Sequence, residues 1–346
     1  MTLKRMGRQT LYLPTAPIIY QAAAVVGPVE GKGPLKDHYD EILPDALIGQ
    51  KSWEKAESAI IKRAVQIVLQ KAGLEQKDVS FLLAGDLLNQ IAASNFAARD
   101  INIPYIGLYG ACSTMAQAMA VAAVFVDGGY AQCALAAASS HFDSAERQYR
   151  YPLEFGCQRP PTTQRTVTGA GAVLLTGGSG DISAVRVTHV TFGMVMDLGM
   201  KDPNHMGAAM APAAAHTISQ HLSDTGQEPS DYDLIITGDL GVYGLELCKK
   251  LLLDSGLELA DNLDDCGIRI YDRNAQDVHA GGSGCACSAV TFAGQLMHEL
   301  TAGRLGRLLL VSTGALFSPT TQQQGESIPG IAHAVAIQGP AAGGGG

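Results

Sequence analysis

The chain repeats one strand–turn–helix pattern, and this repetition limits the folds open to it. The run from Phe81 to Asp86 reads Phe-Leu-Leu-Ala-Gly-Asp, and Leu-Ile-Ile-Thr-Gly-Asp ends at Asp239. Downstream of each run, a Gly-bearing turn places a cysteine, Cys112 or Cys285, at the start of an Ala-rich helical pattern. Each cysteine is followed after 27 residues by a serine that ends an apolar strand. Such recurrence predicts two related α/β halves, although unrelated βαβ units also share a hydrophobic pattern.

Cys112 is expected at a turn between a strand and a helix. The apolar run at 103–108 ends near Gly110, and the helical pattern begins directly after the cysteine. The free N–H groups and the dipole at a helix N-terminus favour negative charge. This position predicts either a thiol with a lowered pKa or a cradle for the carboxylate of a ligand. An inert buried thiol is the third interpretation.

Composition excludes several classes of protein. The chain has 346 residues, 47% of them hydrophobic and 16% charged, which is typical of a compact α/β protein. A net charge of −9 argues against nucleic acid or an anionic membrane as a direct electrostatic partner. The longest apolar stretch, 115–126, is too short to span a membrane, and the N-terminus does not resemble a signal peptide. The seven cysteines are expected to be reduced, as in a cytosol-like compartment.

The predicted organisation is an N-terminal half at 1–178 with Cys112, a C-terminal half at 179–340 with His279, and a flexible tail at 341–346. The polar, arginine-bearing stretch 141–166 is interpreted as a long loop that is functional, a subunit contact or simply solvated.

With these features, the chain resembles the thiolase superfamily, which includes the thiolases and the ketoacyl synthase III condensing enzymes. Gly110-Ala-Cys112-Ser is similar to the family's nucleophile turn, and Asn204-His-Met-Gly is similar to a thiolase loop near the substrate mouth. His279-Ala-Gly-Gly-Ser-Gly is similar to the loop that supplies a catalytic histidine. The resemblance implies a thiolase-like layered α/β/α/β/α sandwich of two similar halves, and a homodimer formed through the strand beside Ser139.

A closer resemblance, to a family of sporulation proteins of spore-forming bacteria, covers almost the whole chain. It rests on the runs at 10–35, 163–175, 197–214 and 236–244. It implies binding of dipicolinic acid (pyridine-2,6-dicarboxylic acid) and a role in its uptake into the developing spore and in germination. It further implies association with the membrane subunits of a sporulation channel, as a peripheral protein on the cytoplasmic side of the spore inner membrane.

Two departures from the condensing enzymes argue against catalysis. Asp239 stands where that family carries Asn or His, and a carboxylate there would repel a developing enolate. The stretch from Ser312 to Gly314 lacks the second cysteine of thiolases, so an acid/base partner is missing. We therefore interpret the chain as a non-catalytic binding protein. The alternatives are an acyl-CoA condensing or thiolytic enzyme that uses Cys112 and His279, and a purely structural subunit with an empty pocket.

A planar dianion needs N–H donors and cationic groups. Calcium is an oxygen-seeking ion that could bridge the ligand to Asp86 and Asp239. A zinc site at Cys285 and Cys287 is disfavoured by their spacing, and no cofactor or protein-held metal is predicted. The candidate ligand-binding residues are Asp86, Cys112, Ser113, Asn204, His205, Asp239, His279 and Gly314.

Overall fold

A computed structural model describes residues 4–149, 159–178, 183–258 and 261–340 of the chain. The strands are β1 (Arg5–Met6), β2 (Thr10–Tyr12), β3 (Ile18–Val26), β4 (Glu41–Ile42), β5 (Phe81–Gly85), β6 (Tyr105–Gly107), β7 (Cys133–Ser140), β8 (Arg165–Thr166), β9 (Gly169–Thr176), β10 (Arg186–Phe192), β11 (Leu234–Thr237), β12 (Leu263–Asp265), β13 (Gly282–Ser283), β14 (Arg307–Ala315) and β15 (Gly330–Gln338). The helices are α1 (Trp53–Ala72), α2 (Ala92–Ile101), α3 (Thr114–Asp127), α4 (Phe142–Tyr149), α5 (Met206–Thr225), α6 (Gly241–Asp254), α7 (Cys266–Ile270), α8 (Cys285–Thr291), α9 (Met297–Thr301) and α10 (Pro319–Gln323).

The main sheet consists of two halves with the same strand order. The first half runs β6-β5-β7-β9-β3, and the second runs β12-β11-β14-β15-β10. In each half the first three strands are parallel, and the last two pair antiparallel. The halves meet where β3 pairs with β10 through Ile18 and Arg186. The duplication predicted from the sequence is confirmed.

Two helices lie between the halves. Helix α3 contacts β5 and β7 of one half and β14 and β15 of the other, and it also contacts α8. Its apolar residues are buried nearly all round, as expected for a helix covered on every side. Helices α1 and α2 cover the outer face of the first half, and α5 and α6 cover that of the second. The predicted thiolase-like α/β/α/β/α layering is confirmed, because α3 and α8 lie between the two halves and a pair of helices covers the outer face of each half.

Local capping sets both ends of helix α1. The Ser52 hydroxyl accepts from the Lys55 N–H at its start, and Gly73 adopts φ 66° at its end. The prediction of one long loop at 141–166 is wrong, since α4 occupies residues 142–149. This helix has a polar face and a short length, so its hydrophobic pattern is weak. Arg150, the tail at 341–346 and the start of the second half at 179 lie outside the described residues.

The strand named in the dimer prediction lies inside the sheet. Strand β7, which carries Ser139, is paired with β5 on one side and with β9 on the other. Its backbone hydrogen bonds are therefore satisfied within the chain, so a dimer contact beside Ser139 would have to use side chains rather than added strand pairing. Among the described strands, β6 is the edge of the first half. The homodimer itself stays a prediction.

Candidate functional site

Cys112 lies at the N-terminal end of α3, as the sequence predicts. The chain leaves β6, forms a bridge between Gly110 and Cys112, and enters the helix at Thr114. The turn is held by two short hydrogen bonds: Ser113 Oγ donates to Gly110 O at 2.6 Å, and Thr114 Oγ1 donates to Ala111 O at 2.6 Å. Ala111 adopts φ 50°, a strained conformation that persists because these bonds fix the turn.

The carboxylate of Asp239 lies beside Cys112 and is held by three donors. Asp239 Oδ1 accepts from Thr313 Oγ1 at 2.7 Å, and Oδ2 accepts from Ser283 Oγ and Gly284 N, each at 3.0 Å. The side chain of Cys112 also contacts this carboxylate. Burial raises the pKa of Asp239, while the donors favour its ionised form. The Asp239 side chain thus links three segments: it contacts the turn at Cys112 and accepts hydrogen bonds from the β13 segment and from β14.

The thiol of Cys112 is not activated. Burial, followed by the charge of Asp239 and the neighbouring Cys285, raises its pKa well above the usual value of 9.0. The prediction of a lowered pKa is therefore wrong. The helix N-terminus does favour a thiolate, but desolvation and an adjacent carboxylate outweigh it. A thiol with a raised pKa is a poor nucleophile near neutral pH.

Gly314 closes against the backbone of the same turn. A Cβ at this position would lie 2.3 Å from Gly110 O, 3.0 Å from Ser113 N and 3.2 Å from Cys112 N. Only glycine fits, because its absence of a side chain lets β14 approach the N–H groups at the start of α3. Gly314 and Ser113 thus lie with Cys112 in one constellation, as predicted.

Two adjoining cavities lie on one side of the turn at Cys112. The inner cavity, of about 40 Å³, is lined by Cys112, by mostly apolar side chains such as Met206 and Met210, and by the acidic Glu146. The outer cavity, of about 370 Å³, is lined by residues of the 88–91 and 316–319 segments. The residues that line both cavities are Tyr109, Tyr149 and Phe317.

Comparison with known proteins identifies the family. The family model for stage V sporulation protein AD matches residues 7–338. Stage V sporulation protein AD of Bacillus subtilis (strain 168) is 47% identical over 336 residues, which cover 97% of this chain and 98% of the relative. The chain belongs to the stage V sporulation protein AD family.

Several solved structures share the fold of this chain. The 3-oxoacyl-[acyl-carrier-protein] synthase III of Aquifex aeolicus VF5 has a TM-score of 0.56 at 14% identity, covering 93% of this chain and 99% of the enzyme. The cerulenin-bound OleA of Xanthomonas campestris has a TM-score of 0.57 at 13% identity, covering 96% of this chain and 97% of OleA. At these identities the likeness shows the fold alone.

Asp86 is built into the fold as a backbone anchor. Its carboxylate is fully buried and accepts from Leu88 N at 2.8 Å and Ser94 N at 2.7 Å. Burial raises its pKa, and its charge also raises the pKa of the buried Glu57. It therefore holds the 87–94 segment, which forms a wall of the outer cavity, and it does not line either cavity above Cys112.

None of Asn204, His205 and His279 lines the cavity that contains Cys112. Asn204 N donates to Asp202 Oδ1, and the His205 ring packs edge-on to Tyr243 at 6.3 Å, just before α5. His279 Nε2 lies 3.3 Å from Asp277 Oδ1, and neither cavity above Cys112 is lined by this ring. The stretch that carries His279 contacts the site through Ser283 and Gly284, four and five residues further on, which both donate to the Asp239 carboxylate.

The sequence analysis did not identify the three aromatic residues that line both cavities. Tyr109 adjoins the Cys112 motif and could have been noticed there, whereas nothing in the sequence singles out Tyr149 or Phe317.

Within the described residues, no group of three or more His, Cys, Asp or Glu side chains is arranged to hold a metal ion. None of the described helices has both the length and the apolar character needed to cross a bilayer.

Proposed function

We propose that this protein is a non-catalytic, thiolase-fold member of its sporulation family that binds dipicolinic acid, free or as the calcium chelate. In this role it supports uptake of the acid into the developing spore and release in germination. It acts as the peripheral subunit of a membrane channel complex, on the cytoplasmic side of the spore inner membrane and as a homodimer. Family membership and the close sequence resemblance support the sporulation role.

One observation carries the non-catalytic part of the proposal: the carboxylate of Asp239 occupies the place beside Cys112. A condensing enzyme needs a thiolate and groups that stabilise the negative charge of an enolate. Asp239 opposes both, because a second negative charge close by is unfavourable in a buried site. Its three hydrogen-bond donors keep the carboxylate in this position.

The second candidate function is an acyl-CoA condensing or thiolytic enzyme. It is favoured by the helix N-terminus at Cys112 and by the close approach of Gly314 to the N–H groups of Cys112 and Ser113. This arrangement could bind the oxyanion of a tetrahedral intermediate. It would require Cys112 to take an acyl group despite its raised pKa.

Calorimetric titration together with mass spectrometry of the protein distinguishes the two functions. We expect sodium dipicolinate, with and without Ca²⁺, to give saturable binding, and acetyl-CoA to leave the mass of the protein unchanged. The control is the Cys112→Ala variant incubated with acetyl-CoA under the same conditions. Acetylation of the wild-type protein that is absent from this variant would establish the enzyme and overturn the proposal. Absence of dipicolinate binding under all conditions would also reject it.

A further inference from the structure

Two large cavities lie at the end of the first half that is opposite to the Cys112 turn. The seam cavity, of about 610 Å³, lies where β3 meets β10 and is lined by residues of the segments 18–22, 37–40, 183–185 and 293–301. The base cavity, of about 630 Å³, is lined by residues that directly precede β5 and that begin β7. Tyr20 lines both cavities, so together they form one groove, which we call the seam groove.

Tyr20 stands between the two cavities because β3 shifts its register there. The residues on either side of Tyr20 pair with Leu175 and Leu174 of β9, so Tyr20 is an extra residue without a partner on that strand. Its side chain is 49% exposed, although residues 22–26 of the same strand are buried. A bulge of this kind re-aims a side chain and is commonly found beside functional sites. An exposed tyrosine fixed on a sheet is a typical anchor of a protein interface.

A second irregularity forms another wall of the seam cavity. The chain makes a π-helical turn at Phe292–Leu296, and Ala293 and Gly294 of this turn line the cavity. A Cβ at Gly294 would lie 2.9 Å from His38 O, so the glycine lets this turn approach the 37–40 segment closely. Single π-helical turns occur frequently at functional sites. Both walls thus depart from regular structure where they face the cavity.

The seam groove carries carboxylates that have no cationic partner. Its lysines, Lys71 and Lys77, each form an ion pair with a neighbouring carboxylate, at N···O distances of 2.9 Å and 2.6 Å. Asp37 and Asp78 also line the groove, and within the described residues neither is paired with a cation. Carboxylates and the faces of aromatic rings both attract Lys and Arg side chains. The groove is therefore complementary to a positively charged segment.

We infer that the seam groove binds a lysine- or arginine-bearing cytoplasmic segment of a membrane subunit of the channel. This inference rests on the proposed function and names the docking surface for its partner. Cytoplasmic segments of membrane proteins carry an excess of Lys and Arg, and the net charge of −9 attracts such a segment while it disfavours an anionic lipid surface. Tyr20 packs against the apolar part of the segment, and Asp37 and Asp78 pair with its cations on either side. Because the groove lies at the opposite end from the Cys112 turn, a docked partner leaves that turn uncovered.

The test measures binding of the purified chain to membrane vesicles by sedimentation. One set of vesicles comes from a host that expresses the membrane subunits of the channel, with the cytoplasmic face outward, and the other set comes from the same host without them. The groove variants are Tyr20→Ala and the double variant Asp37→Asn/Asp78→Asn. The amide oxygen of the second replacement can still accept from Glu75 N, as the carboxylate does.

Two control variants match these changes outside the groove. Tyr130→Ala removes an exposed tyrosine that lines neither cavity of the groove. Asp254→Asn/Glu258→Gln removes two exposed carboxylates from the second half. Thermal unfolding of every variant is measured beside the wild type, and we expect little change because the replaced side chains are exposed or half-exposed.

We expect the wild-type chain to bind vesicles with the subunits about tenfold or more tightly than vesicles without them. Each groove variant should weaken this binding about tenfold, as expected for an interface anchor, and both control variants should bind as the wild type does. Raising the NaCl concentration from about 0.1 M to about 0.5 M should weaken binding of the wild type more than that of Asp37→Asn/Asp78→Asn, because salt screens the charge pairs that this variant lacks.

A photo-cross-linker identifies the occupant of the groove. Tyr20→p-benzoylphenylalanine places a reactive group between the two cavities, and the cross-linked peptide is read by mass spectrometry. We expect it to come from a Lys- or Arg-bearing cytoplasmic segment of a membrane subunit. A cross-link to lipid, or to a second copy of this chain, would overturn the inference.

The remaining outcomes separate the inference from the proposed function. Binding to subunit-containing vesicles that neither groove variant weakens would overturn the docking surface and leave the proposed function standing. Equal binding to both sets of vesicles, or binding to neither, would reject association with the channel, which belongs to the proposed function, and the docking surface with it.

Discussion

Replacing Asp239 by asparagine should lower the pKa of the Cys112 thiol. Two unit charges in close contact interact by a few kcal/mol at an effective dielectric constant of about 20, and each ~1.4 kcal/mol corresponds to a tenfold change in the thiolate fraction. Because burial raises the pKa of Asp239 as well, the full effect requires a pH at which this carboxylate is ionised. We therefore expect Asp239→Asn to raise the thiolate fraction of Cys112 about tenfold or more at a pH below the pKa of the thiol.

The measurement is the pH dependence of alkylation by iodoacetamide, read at Cys112 by peptide mass spectrometry. Each unit by which the pKa falls should raise the thiolate fraction about tenfold at a pH below it. Asp239→Asn retains the size and shape of the side chain, and its amide can still accept from Gly284 N and donate to Thr313 Oγ1.

Asp86→Asn is the matched control. Asp86 follows β5 as Asp239 follows β11, it is also buried, and its carboxylate contacts the backbone N–H groups of Leu88 and Ser94. This variant should leave the alkylation profile of Cys112 unchanged. If Asp239→Asn and Asp86→Asn both give the wild-type profile, Asp239 does not suppress the thiolate, and the argument against catalysis loses its physical basis.

Two further predictions concern stability. Gly314→Ala should lower the free energy of unfolding by about 1–3 kcal/mol, since the added Cβ would meet Gly110 O at 2.3 Å. Thermal unfolding measures this loss. The control is Gly177→Ala, which should show little change because its Cβ would meet nothing within 4 Å. Burial lowers the pKa of His221 from 6.5 to about 3, so the unfolded chain binds its proton first as the pH falls. The stability that neutral His221 provides is complete above pH 6.5 and decreases towards pH 3 by about 1.4 kcal/mol per unit. Urea unfolding of wild type and His221→Gln between pH 7 and 4 should show a shallower decrease for the variant, and equal slopes would contradict this assignment.

Much of the fold could be predicted from the sequence. The repeated Leu-Ala-Gly-Asp and Ile-Thr-Gly-Asp strand ends, and the two cysteines that start helices, indicated two like halves, because local hydrophobic periods set local structure. Helix α4 was missed, since its few apolar positions carry too weak a pattern. The sequence also could not show whether a strand lies at the edge or in the interior of the sheet. Pairings such as that of β7 with β9 depend on the topology of the whole sheet.

At the site, the sequence by itself determined which residue types are present: a cysteine at a helix N-terminus, an aspartate after β11 and a glycine in β14. Only the tertiary structure decided what they do to one another. It buries Cys112 against Asp239 and so raises the thiol pKa that the helix N-terminus alone would lower. It also places Tyr109, Tyr149 and Phe317, from three separate segments, around one opening. The pKa of a group depends on burial and on neighbouring charges, and both are set by residues distant in the chain.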